Sequence, residues 1–186
     1  LAYHWLLLCM SPLHRFAEFT FYFTVYAFSG WLLENGYSYA TAGVFYKKNL
    51  LIGPFKPMYG FAPVLLVLLT GTDRSWAWLL LLSFIIPTTV EYVSGVLLHK
   101  YTGFRWWDYS HLPAQLHGHI CLPFSLCWMV LSVICIKWMH PAVSFAFTYL
   151  SGLWESVWPA VILYFFFESI MAVTGQSPQM ISREDS

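Results

Sequence analysis

Charge is what this chain has least of: Lys and Arg number 9, Asp and Glu 9, and charged residues make up 10% of the whole against 59% hydrophobic. Soluble domains carry about 25% charged residues, so an ordinary water-facing surface is excluded. The formal net charge is zero, and like charges never form a block. Neither a nucleic-acid groove nor a strongly anionic partner is therefore expected. Cys9, Cys121, Cys127 and Cys135 form no CxxC pair and lie in apolar runs, where a free thiol acts as a small hydrophobe; they do not report a redox compartment. No GxxxxGK[ST] stretch exists to cradle a nucleotide and no GxSxG marks an activated serine. No cofactor is implied and no catalytic residue is assigned. Residues 1–10 have neither a basic n-region nor an initiator Met, which argues against a cleavable signal peptide and points to a clipped or mature start.

What the chain does have is apolar length. A membrane-crossing helix needs about 20 mostly apolar residues. Breaking the sequence at charges, Pro and Gly gives five spans, at about 16–38, 58–72, 76–99, 119–138 and 142–173, with the 1–12 segment interfacial or a partial crossing. The fold class expected is an all-α polytopic integral membrane bundle: one transmembrane domain over 1–175, an interfacial aromatic loop, and a polar tail at 176–186. The second span is short and the fifth long, so one is expected to be re-entrant and the other tilted or broken. Pro87 and Pro159 fall inside spans as kinks, and Pro141 suits a helix start after a turn at Lys137–His140. Arg15, Arg74 and Lys137 sort to one side of the membrane and Lys47, Lys48, Lys56, Lys100, Arg105 and Arg183 to the other, which places the second set in the cytoplasm and the N-terminus outside.

In any up-and-down arrangement the loops after the first and third spans share a side. Glu34, near the end of span one, and Glu91, about two turns inside span three, then converge on one leaflet. An acidic side chain at membrane depth costs several kcal/mol unless protonated, paired or wetted. One reading is a polar cavity of spans one, three and four in which both acids meet a basic partner and handle a proton, a cation or a polar substrate group; the other is a structural ion pair or interfacial carboxylates. Glu155 and Glu168, thirteen residues apart on one helix, face different ways at about 100° per residue, with Glu168 expected to reach water and Glu155 a weaker cavity candidate.

Arg105-Trp106-Trp107-Asp108-Tyr109-Ser110 reads as a headgroup-level element, either an aromatic belt with an Arg105–Asp108 pair or a binding lip. His117, His119 and Cys121 alternate as on extended chain; a metal site with Glu91 is conceivable in type but lacks helical ligand spacing, and none is assigned. His119 is expected instead as hydrogen-bond partner of a buried carboxylate. Gly53-Pro54-Phe55-Lys56-Pro57 and Tyr59-Gly60 impose turns and form a stiff lead into span two. The substrate-binding set is thus Glu34 and Glu91 as buried acids, Arg105 and His119 as basic partners, and Tyr59, Trp107, Asp108, Tyr109 and His117 as orienting groups.

Gly30-Trp31-Leu32-Leu33-Glu34, Gly53-Pro54-Phe55 with Pro57 and Tyr59-Gly60, Glu91-Tyr92, Trp107-Asp108-Tyr109-Ser110, then Gly118, Cys121, Ser125 and Trp128, in that order, resemble the bacterial CmpB-like family of ABC-transporter permease membrane proteins. The match covers about residues 28–141. The resemblance implies a multi-pass protein of the bacterial plasma membrane, in contact with lipid, that translocates a small polar or amphipathic solute. A separate chain would supply the ATPase, and a homo- or hetero-oligomer would complete the path. The family commonly carries Asn and Arg near positions 115 and 119; Gln115 and His119 stand here, so a basic group there has a pH-dependent charge. Two other classes are kept: a membrane-embedded enzyme acting on a lipid or prenyl substrate, with the same acids and His119 as acid-base groups, and an accessory or sensor subunit whose aromatic loop docks a partner.

Overall fold

A computed structural model of the chain describes residues 11–46, 49–71 and 75–174. The expected partial crossing before residue 11, the tail from 176, and Lys47, Lys48, Arg74 and Arg183 lie outside these residues. Helix α1 (Pro12–Ala42) starts where the Ser11 hydroxyl accepts the His14 N–H and Pro12 occupies the first turn, and it ends on Gly43 in the left-handed conformation. Helix α2 (Pro57–Thr70) is short. Helix α3 (Trp76–Thr102) is capped by Ser75 and closed by Gly103. A hairpin of two short strands, β1 (Gln115–Leu116) and β2 (Ile120–Cys121), interrupts the helices. Then come α4 (Leu122–Ile134), a π-helical turn (Cys135–Met139) and α5 (His140–Val173).

The fold is therefore mostly helical, with the hairpin as its one departure from all-α among the described residues. α1 packs between α2 and α5, while α3 packs against α2 and α4. Aromatic rings hold the α1–α5 seam: Phe21, Tyr22 and Tyr26 are buried with Val143 and Phe147. Ala62, Leu66, Leu82 and Ile86 fill the α2–α3 seam. Gly30 allows α1 and α2 to approach closely, since any Cβ there would overlap the Tyr59 ring.

Large apolar side chains face outward, as Leu153 at 69% and Leu163 at 67% exposure show. A water-soluble protein rarely tolerates so continuous an apolar exterior, whereas lipid accommodates it. Two helical stretches, Trp76–Thr102 and Leu122–Val173, are long and apolar enough to cross a membrane. α2 is apolar but too short for that test. Two membrane-length stretches and one shorter apolar helix among the described residues do not clearly give five spans.

The expected turn at Lys137–His140 is absent; the chain stays helical from Leu122 to Val173. Pro141 has no N–H to donate to Lys137, and the wider turn, in which the His140 N–H reaches the Cys135 carbonyl, absorbs the mismatch without ending the helix. α5 bends further on. Ser144 meets Tyr22 and Phe165 meets Phe23, yet a straight helix would set Ser144 and Phe165 about 31 Å apart, beyond the reach of two adjacent residues. Gly152 and Pro159 lie in the bent stretch, as expected of Pro159.

Candidate functional site

Glu34 lies two turns before the end of α1 and accepts hydrogen bonds from two groups of the chain that follows. Lys56 Nζ donates to Oε2 at 2.5 Å, and the Tyr59 hydroxyl donates to Oε1 at 3.0 Å. Lys56 and Tyr59 flank Pro57, which starts α2, so the rigid Lys-Pro step presents ammonium and phenol to the same carboxylate. The basic partner of Glu34 is thus Lys56 and not Arg105.

Glu91, on α3, is 2% exposed. Its Oε1 accepts from the Tyr109 hydroxyl at 3.1 Å. The Trp128 indole of α4 is its other neighbour, but Trp128 Nε1 and Glu91 Oε2 fall short of hydrogen-bond geometry and both are left unsatisfied. Glu34 and Glu91 lie within electrostatic range of each other and of Tyr59. Tyr59 also packs edge-on against Trp128 at 5.5 Å, and Tyr109 stacks on Phe124 at 4.8 Å. α1, α2, α3, α4 and the aromatic loop therefore each contribute to one cluster, in which the Lys56 ammonium lies on Glu34 and neutral groups lie on Glu91.

The remaining expected residues form a separate layer nearer the end of α3. Arg105 Nη1 donates to Asp108 Oδ1 and to the His117 carbonyl, both at 3.3 Å, and both side chains are largely exposed. The Ser110 N–H on its carboxylate, with Arg105 beside it, holds Asp108 below its ordinary value. Trp107 Nε1 donates to the His119 carbonyl at 2.8 Å, and the Tyr109 N–H to the Gly118 carbonyl at 2.9 Å. These bonds lace the Trp-Asp-Tyr stretch onto the hairpin. The hairpin reverses at Leu116–His119 with His117 at φ 53° and Gly118 at φ 73°, the mirror-image turn that suits twisted strands.

His117 Nδ1 pairs with the Tyr92 hydroxyl at 3.0 Å, whereas the His119 ring lies between Tyr92 and His99 over Gly95. His119 does not meet Glu91. Burial, then Arg105, holds its imidazole below the ordinary value and hence neutral at pH 7. Tyr109 is held protonated by burial and by the adjacent Glu91. Among the described residues no three His, Cys, Asp or Glu side chains are grouped to hold a metal ion.

The roles of four polar residues escaped the sequence reading. Lys56 and Trp128, read there only as a loop cation and a family-motif residue, complete the cluster, and Phe124 shares an i, i+4 face with Trp128. Asn49 and Glu168 are buried. Glu168 does not reach water: it accepts the Gly53 N–H. Glu155, the weaker cavity candidate, is 45% exposed and meets His14.

A mostly helical membrane protein with a buried acidic and aromatic cluster at one end of its bundle is the class that this fold and site define. The family model described as "Putative ABC-transporter type IV" matches residues 21–173, and the chain belongs to that family, the ABC-transporter permease family that its motifs resemble. No curated protein and no solved structure matches the chain.

Proposed function

We propose that the chain is the multi-pass permease of an ABC-type system in a bacterial plasma membrane, crossing about five times, and that it binds and translocates a small polar or amphipathic solute. Glu34, Tyr59, Glu91 and Tyr109 are the solute-binding groups at depth. Arg105, Trp107, Asp108, His117 and His119 form the lip above them. A separate ATPase subunit supplies the energy, and a homo- or hetero-oligomer completes the path.

The carrying observation is Glu91, an acid 2% exposed whose hydrogen-bonding neighbours are neutral, beside a Glu34 whose negative charge Lys56 already balances. A membrane-buried carboxylate is costly enough that it marks function by default. The rings of Tyr59 and Trp128 beside Glu91 suit a cationic or polar head group. The enzyme reading needs an imidazole at the acids, and His119 turns away to Tyr92 and His99.

The test is purification of the tagged chain from native membranes at native expression, followed by ATP hydrolysis in proteoliposomes. An ATPase should copurify, and Glu91→Gln should cut its hydrolysis at least tenfold at unchanged yield of folded complex. A chain that purifies without an ATPase contradicts the permease reading, as does a complex indifferent to Glu91→Gln.

A further inference from the structure

The loop before α2 does not stay at the end of the bundle. The Lys56 N–H donates to the carbonyl of Ala27 at 3.0 Å, and Ala27 precedes the end of α1 by fifteen residues, about 22 Å at 1.5 Å per residue. The chain has turned back by Phe45, whose ring meets Trp31, and at Lys56 it lies beside Ala27 before α2 begins. Irregular backbone at such depth persists only when the protein itself satisfies its polar groups.

That accounting closes around two side chains. Asn49, 3% exposed, donates from Nδ2 to the Gly53 carbonyl at 2.8 Å and to the Phe55 carbonyl at 2.9 Å. Glu168 of α5, 5% exposed, accepts the Gly53 N–H on both oxygens at 3.1 and 3.2 Å. Phe55 packs edge-on against Phe165 and Tyr164 of the same helix. Gly53 has no room for a side chain, because a Cβ would overlap the Tyr164 hydroxyl. Three residues after Gly53 comes Lys56, whose ammonium holds Glu34.

We propose that Glu168 is a positioning residue: by fixing Gly53 from α5 it sets the re-entrant loop, and through the loop it sets Lys56 against Glu34. The bent end of α5, though it touches neither acid of the site, thereby bears on the Lys56–Glu34 pair. Movement of α5 relative to α1 loosens the hold of Lys56 on Glu34. This rests on reading the Glu34 and Glu91 cluster as the working site, but its test does not depend on transport.

Reaction of Lys56 with a membrane-permeant amine acylating reagent, read by mass spectrometry in the purified full chain with Lys100 as internal reference, reports the pairing directly. Glu168→Ala should raise the Lys56 rate at least fivefold, whereas Glu168→Gln, which keeps an acceptor for the Gly53 N–H, should raise it less than twofold. Gly53→Ala, whose methyl group would overlap the Tyr164 hydroxyl, should resemble Glu168→Ala. Tyr26→Phe, which removes the α1–α5 bond to His140, is the control for general loosening and should leave Lys56 unchanged. Equal Lys56 rates in wild type and Glu168→Ala overturn the proposal, as does an equal rise in Tyr26→Phe. If the rates move as expected but Glu91→Gln leaves ATP hydrolysis intact, the positioning stands and the permease reading falls.

Discussion

Both ends of α1 carry acids, and the company they keep differs. Toward its start, Glu18 accepts from Tyr22 one turn along at 2.6 Å, and His14 meets a Glu155 that is 45% exposed. Each acid there is served by one group, from its own helix or from a single neighbour. Toward its other end, Glu34 is held by Lys56 and Tyr59, and Glu91 is enclosed by Tyr109, Trp128 and Tyr59, from the aromatic loop, α4 and α2. What separates the two regions is the number of segments that must assemble before the charge is tolerated, not the residue type.

The comparison breaks most readily at Glu34. Replacing it by Ala removes the carboxylate to which Lys56 and Tyr59 donate and is expected to cost about 3 kcal/mol, as for one member of a buried pair, measured by chemical denaturation in detergent. Tyr109→Phe comes next: it removes the one direct donor to a buried carboxylate and is expected to cost about 2 kcal/mol. Glu155→Gln, in the wet region, should change stability by no more than about 0.5 kcal/mol. A cost at Glu155 equal to that at Glu34 would erase the distinction.

The smallest effect concerns pH. His119 binds its proton less readily in the fold than in the unfolded chain, because it is buried and lies near Arg105. The stability it contributes is complete above the unfolded imidazole value of about 6.5 and drains away as pH falls below it. His119→Gln should flatten that part of the melting-temperature profile between pH 7 and pH 5; an unchanged slope would show that His119 is not its source.

Much of this was legible in the letters. Apolar composition read the membrane setting, and the shared side of two loops brought Glu34 and Glu91 to one end, since up-and-down chain direction alone requires it. Depth was not legible. Lys56 reads as a loop cation because sequence reports which side a loop is on, not that the loop turns back about 22 Å along α1. Pro141 beside Lys137 reads as a turn, because proline's missing N–H ends most helices and only the local geometry reveals that a π-helical turn has absorbed it. Arg105 reads as the partner of a buried acid on charge alone, whereas Asp108 three residues later captures it in a local pair. Glu168 was placed by distance from the helix end, and the partner that buries it comes from 115 positions away.

The central claim is that Glu34 and Glu91 belong to one buried cluster, and a double-mutant cycle tests it most directly. Unfolding free energies of wild type, Glu34→Gln, Glu91→Gln and the double variant, in one detergent at one pH, give the coupling between the two acids. Groups that share Tyr59 and a common low-dielectric surrounding should couple by about 1 kcal/mol. Strict additivity of the two substitutions would mean that the acids do not sense each other, and the account of a single site would be wrong.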